Sequence, residues 1–402
     1  MPNVNLSAVE LENFKCFRRQ RFELRNLTVL AGLNGVGKSS VIQALLLIRQ
    51  SLSGNRVRRQ LLLSGELVEL GTGVDVLYDL SDQDELCIVL EFGNERRTEY
   101  RYQYTPESNR LSLLTKSLPN SRGTFDAFKG EDGNWVQISK RDHTYPPRFY
   151  QRAMFSTRGF QYLSAERQGP RKSLPWSEEE VARRSLGTQG EHVLSFLSEF
   201  GRDPVSENDP RIRDHRLPLT VDGQVTAWLS EISPGARLEI SPMREIDALA
   251  ARYSYSRKGD VSSRPFRATN VGFGVSYVLP VIVALVAARA GDLVIIENPE
   301  AHLHPRGQTR MGQLAARAAE AGVQVIVETH SDHFLDGVRL DARNRHIRRE
   351  RAIFHYFYRE GAETVVLSPY LNSDGSLSEW PKGFFDERDD NLMGLLGPLE
   401  LS

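Results

Sequence analysis

Apolar residues in this chain recur with a period that changes from one segment to the next. Residues 26–31 (NLTVLA) run into an apolar strand ending, and residues 40–50 (SVIQALLLIRQ) switch to helical spacing. Between 66 and 140 short alternating runs appear, at 86–91, 98–103, 110–114 and 135–139. Gly93-Asn94 and Glu131-Asp132-Gly133-Asn134 punctuate them, which predicts an antiparallel β-meander. Residues 160–165 (FQYLSA) predict one more core strand. From 171 to 262 the chain is polar and broken by Pro204, Pro210, Pro218 and Pro234. Its helical pieces, 191–200 and 225–232, predict an insertion or arm.

Beyond the insertion, residues 292–300 (DLVIIENPE) form an apolar strand that ends in acid and 323–328 (VQVIVE) a second apolar strand, followed by Thr329-His330-Ser331, with a helical stretch at 308–321 between them. Such a unit crosses right-handed between parallel strands covered on both faces. The pattern predicts an α/β fold with a mixed or parallel core sheet, an antiparallel meander lobe and a helical insertion. We divide it into an N-terminal lobe (1–170), an insertion (171–262) suited to dimerisation or partner binding, and a C-terminal lobe (263–402).

Composition changes this picture little. Forty per cent hydrophobic residues in 402 suffices for a sizeable core. The most apolar run, 275–290, is shorter than the roughly 20 residues a membrane span needs, so it reads as a buried helix. No basic-then-apolar leader opens the chain. The only two cysteines, Cys16 and Cys87, make neither a disulfide framework nor a metal cluster, which suits the cytoplasm. Neither an internal repeat nor a sustained heptad is present. The net charge of −1 hides a bias, because 43 of the 51 basic residues are Arg. A GC-rich genome accounts for this. Clusters such as Arg56-Val57-Arg58-Arg59 and residues 345–351 are also suited to phosphates.

The chemistry concentrates at Gly32-Leu33-Asn34-Gly35-Val36-Gly37-Lys38-Ser39, which fits G-x-x-x-x-G-K-[ST]. Strand, glycine loop and helix together aim backbone N–H groups and a helix N-terminus at an anion. Asn34, Gly35, Val36, Gly37, Lys38, Ser39 and Ser40 therefore form the predicted phosphate cradle. Lys38 would reach the β- and γ-phosphates of ATP, and the Ser39 hydroxyl would ligate Mg²⁺. Glu297, at a strand end, is placed to hold that metal or its waters opposite Ser39. Glu300 follows past Pro299 and could point into the same site. His330 ends the next strand, positioned for a γ-phosphate or an attacking water.

These residues resemble a family. The phosphate loop, the Glu297 region with Ala301-His302-Leu303-His304-Pro305, and Glu328-Thr329-His330-Ser331 resemble the ABC-type ATPase heads, in the RecF/SMC/OLD-like group of prokaryotic AAA ATPases. Leu11-Glu12-Asn13-Phe14-Lys15-Cys16-Phe17 is similar too. The resemblance implies that Lys15 lies near the adenine and α-phosphate. It also implies a signature loop that caps the nucleotide of a second subunit. Asn270-Val271-Gly272-Phe273-Gly274-Val275-Ser276 is our candidate, contributing Gly272, Gly274 and Ser276, with Ser276 as N-cap of the following helix. Gln161 and Gln168 flank the 160–165 strand. Gln168 is the preferred candidate for the glutamine that links nucleotide and metal to lobe movement, and Arg167 and Arg171 are candidate contacts to phosphate or partner. Residues 373–385 resemble an uncharacterised tail found on some of these ATPases.

Two departures from the family pattern matter. Where the family ends its strand in Asp-Glu, this chain has Glu297-Asn298, and Asn298 cannot accept a proton. Glu300 is the alternative base; without it hydrolysis is slow and the protein is an ATP-held clamp. The OLD relatives also carry a toprim nuclease, for which no second acid set stands on strand ends here. The run Asp386, Glu387, Asp389 and Asp390 reads as a solvated tail. The resemblance implies a homodimer closed around ATP, with higher oligomers also open, acting on an effector protein such as a nuclease in antiphage defence. The alternative is a RecF-like clamp or loader that grips DNA. No membrane partner is expected.

Overall fold

The computed structural model describes residues 5–53, 56–57, 60–81, 83–93, 96–120, 123–125, 127–129, 135–137, 154, 159–256, 262–381, 383–384, 386, 391–393 and 395. The predicted turn at 131–134, Arg58, Arg59, Glu387, Asp389 and Asp390 lie outside them. In chain order the main elements are β1 (Leu6–Phe14), β2 (Phe17–Glu23), β3 (Leu27–Gly32), α1 (Lys38–Gln50), β4 (Glu85–Phe92), β5 (Arg96–Thr105) and β6 (Arg110–Asn120). Then come β7 (Phe160–Leu163), α2 (Val193–Phe200), α3 (Val221–Ile232), β8 (Ala236–Met243) and β9 (Ala248–Tyr255). The last are α4 (Phe273–Ala287), β10 (Leu293–Glu297), α5 (Pro305–Glu320), β11 (Gln324–Glu328), α6 (Asp332–Arg343), β12 (Ala352–Glu360) and β13 (Glu363–Leu367).

Two large sheets organise the molecule. The central one has the order β7-β10-β11-β3-β12-β13, parallel except for its last pair. Its strands are apolar on both faces because both are covered. Leu27, Val29, Val294, Ile296, Val325 and Val327 face one core, with the helices α2 to α6. Leu30, Leu293, Ile295 and Ile326 face the other, with α1 and the antiparallel sheet. That second sheet, in the order β2-β1-β4-β5-β6, contains the predicted meander, but β1 and β2 join it as well. Among the described residues no helix is long and apolar enough to cross a membrane.

The stretch 171–262 departs from the expectation of a polar arm. Val193, Leu194 and Phe196 of α2, and Val225, Trp228 and Leu229 of α3, are buried in the same core as α4 and α5. The Trp228 indole N–H donates to the Arg211 carbonyl at 2.8 Å. The prolines mark loop corners around packed helices instead of an extended arm. Nor is the stretch purely helical: β8 and β9 form an antiparallel hairpin in which Ala236 pairs with Tyr255.

Candidate active site

The phosphate loop joins β3 to α1 at the C-terminal edge of the central sheet. Its geometry requires glycine. Gly37, the N-cap of α1, has φ +100°, and a Cβ there would lie 2.3 Å from Cys16 Sγ. Gly32 has φ +137°, and a Cβ there would meet the Phe357 carbonyl oxygen at 2.1 Å. Asn34 and Gly35 are exposed at the tip, while Val36 is buried and anchors the loop. The turn between β1 and β2 packs against the same helix. Lys15 takes a left-handed φ of 50°, and its ammonium donates to Gln43 Oε1 at 2.7 Å. Buried Ser40 stands beside the Cys16 thiol.

Lys38 is the first residue of α1 and is only 3% exposed. Its ammonium donates to the carbonyl oxygens of Gly32, at 3.0 Å, and Leu33. Burial lowers its pKa, and the nearby Glu328 carboxylate partly offsets that. The Ser39 hydroxyl donates to Glu328 Oε1 at 2.9 Å. Glu328 ends β11, in register with Glu297 at the end of β10. Glu297 is held by the Tyr162 hydroxyl at 3.0 Å and the Ala165 N–H at 3.1 Å. Glu300 Oε1 accepts the His330 N–H at 2.8 Å. The His330 ring is exposed, and its pKa is lowered by desolvation and by the Lys38 charge.

Burial raises the pKa of all three glutamates. For Glu328 it reaches about 7, because desolvation and the neighbouring Glu297 outweigh the Ser39 hydrogen bond. Glu297 and Glu300 shift the same way, also chiefly through desolvation. Glu328 Oε2, Glu300 Oε2 and Asn298 Oδ1 are buried without a hydrogen-bond partner. The unpaired Glu328 oxygen, on the carboxylate that accepts from the Ser39 hydroxyl, fits a water of a hard divalent cation.

A second group of predicted residues gathers at the N-terminus of α4, and here one expectation is corrected. Helix α4 begins at Phe273 with Gly272 as its N-cap, so Ser276 lies inside the helix and does not cap it. The Ser276 side chain turns toward the Tyr253 hydroxyl. Gln168 lines the same small cavity as Ser276 and Tyr253, and its N–H donates to the Gln189 carbonyl. It thus stands with this group and not in the phosphate loop. Gln161 is committed to structure, donating to the Gly187 carbonyl and accepting from the Leu186 N–H, both at 2.9 Å. Phe273 packs edge-on against His302, with ring centroids 4.6 Å apart, and both rings are exposed.

Arg167 links the two groups. Its guanidinium donates to the carbonyl oxygens of Glu297 and Asn298, both at 2.6 Å, and of Ser164 and Tyr277 at 2.9 and 3.3 Å. It also lies 4.6 Å over the Tyr277 ring. Its reading as a phosphate or partner contact is therefore replaced: at 4% exposure its donors are spent on backbone carbonyls. Asn298, whose carbonyl it holds, has φ +46°, a conformation asparagine tolerates.

Comparison with known proteins follows this geometry. Residues 27–336 match the family model described as "AAA domain, putative AbiEii toxin, Type IV TA system". The chain belongs to that family. Past this AAA domain, residues 347–395 match a second model, a protein of unknown function, DUF3696. The search of curated proteins returns no match. Among solved structures, the AAA domain is similar to an SMC head bound to the C-winged helix domain of ScpA. The two share 13% identity at a TM-score of 0.50, over 91% of this chain and 98% of that one. An SMC head with an extended coiled coil, bound to the C-terminal domain of ScpA derived from Pyrococcus furiosus, gives 12% and 0.49, over 98% and 99%. The SMC head domain from Thermotoga maritima gives 12% and 0.43, over 90% and 98%. The fold is that of a P-loop ATPase of the ABC and SMC type.

Proposed function

We propose that this chain is an ATP-driven switch: it binds ATP with Mg²⁺, closes head to tail with a second copy, hydrolyses slowly and thereby controls an effector protein. The observation that carries the reading is the convergence of Lys38, Ser39 and the strand-end acids, with Ser39 Oγ 2.9 Å from Glu328. The loop N–H groups and Lys38 would bind the triphosphate. Mg²⁺, when bound, would neutralise β- and γ-phosphate charge, with Ser39 and a strand-end acid supplying oxygen near it. Glu300, buried with one free oxygen, would take the proton of the attacking water, since Asn298 cannot. His330 would orient the γ-phosphate.

The description of the family as a putative toxin of a type IV toxin–antitoxin system supports an effector partner, for which a nuclease in antiphage defence is our proposal. We rank this reading above a DNA clamp because much of the basic cluster at 345–351 is already paired within the chain. Arg348 and Arg351 bridge to Glu320, and Arg349 to Glu350.

The dimer part of the reading has a clean test. Gly274 is a poor site for it, because a Cβ there would lie 2.4 Å from the His302 carbonyl oxygen. Gly272 is exposed, and a Cβ there meets no heavy atom within 4 Å. Gly272→Arg should block ATP-dependent dimerisation while leaving ATP affinity within about twofold of wild type, since surface changes away from packed features perturb little. A variant that still dimerises on ATP in light scattering would remove residues 270–276 from the interface.

A further inference from the structure

We propose that Glu328 is the carboxylate that, through the Ser39 hydroxyl, positions the divalent cation of the bound nucleotide. The proposal deepens the ATP reading above and rests on it. Glu328 lies outside the strand ending on which the metal was expected, at Glu297. It terminates the strand between β10 and β3, so it stands next to the phosphate-loop strand, paired with Leu30, whereas Glu297 stands one strand farther away.

Three geometric facts carry the assignment. First, a hydroxyl has one hydrogen and two lone pairs. Ser39 spends its hydrogen on Glu328 Oε1, which leaves its lone pairs for a cation and fixes the direction in which they point. Second, Glu328 is 6% exposed, and its Oε2 has no partner. A buried carboxylate oxygen left unpaired beside a metal-ligating hydroxyl suits a water of the cation's shell, and Mg²⁺ keeps several waters. Third, Glu297 is occupied on both oxygens, by the Tyr162 hydroxyl and the Ala165 N–H, whereas Glu328 has one oxygen to spare. The backbone of Glu328 is fixed as well, because its carbonyl accepts the Asn298 N–H at 2.8 Å. Glu328 is thus a positioning residue, acting on the metal through Ser39 and through water.

The test reads the metal and not turnover. Binding of a fluorescent N-methylanthraniloyl-ATP is followed at rising Mg²⁺, and once in EDTA, for wild type, Ser39→Ala, Glu328→Gln and the double variant. Glu328→Gln should raise the Mg²⁺ concentration for half-maximal enhancement by about tenfold or more, the loss typical of an orienting residue around a metal. Binding in EDTA should be unchanged. The double variant should shift by clearly less than the two single shifts combined, because the two residues act largely as one unit. A Mg²⁺ dependence unchanged in Glu328→Gln, or additive shifts in the double variant, would overturn the assignment. So would loss of EDTA binding in Glu328→Gln, which would make its role structural. Failure of the wild type to bind the analogue under either condition would instead overturn the ATP reading beneath it.

Discussion

Lys38→Ala should weaken ATP binding by on the order of 10²-fold, equivalent to roughly 3 kcal/mol for charge-assisted bonds to phosphate. The ammonium sits at the start of α1, buried, with the Gly32 and Leu33 carbonyls as its partners. Those bonds keep it at the mouth of the loop, where it can turn to phosphate oxygens without leaving the site. Burial lowers its pKa, and the nearby Glu328 carboxylate partly offsets that. Truncation also removes a buried methylene stem and the donor to two loop carbonyls, so the thermal midpoint is measured alongside to show that the variant is folded at the titration temperature. Calorimetric titration with ATP checks this. Wild-type affinity in the variant would remove Lys38 from the nucleotide site.

Glu300→Gln should lower ATP turnover by about 10²-fold, the usual scale for losing a general base, with ATP affinity retained. The residue after the strand-end acid is Asn298, which has no basic oxygen to offer. Glu300 has one. Its Oε1 is fixed by the His330 N–H, its Oε2 is unpaired, and burial raises its pKa. The substitution keeps size and hydrogen-bond acceptance, so a loss in steady-state phosphate release reports chemistry and not collapse of the loop. Unchanged release would take Glu300 out of the mechanism.

Much of this arrangement was legible in the sequence, for physical reasons. The phosphate loop has fixed spacing because only glycine fits at Gly32 and Gly37. The runs that became β10 and β11 carry apolar residues on both faces because the sheet is covered on both faces. Other features were hidden. Arg167 looked like a loop arginine because its partners Tyr277, Glu297 and Asn298 are more than 100 residues away in the chain. The prolines of 171–262 suggested an arm, while Trp228 and its apolar neighbours on α3 were already spaced for burial. Ser276 reads as a cap in the sequence, but the helix starts earlier, at Phe273 with Gly272 as its N-cap. Glu328 could have been found, since an acid closing an apolar strand was the very signal that singled out Glu297. In the sequence the Thr329-His330 that follows it is the stronger signal.

If ATP joins two copies of this chain, nucleotide should double its mass. Static light scattering of the Glu300→Gln protein, in which bound ATP should persist, tests it most directly. The mass should lie near the 45.5 kDa of one chain without nucleotide and at twice that value with ATP and Mg²⁺. A mass that stays at 45.5 kDa at saturating ATP, or that is already doubled without nucleotide, would contradict it.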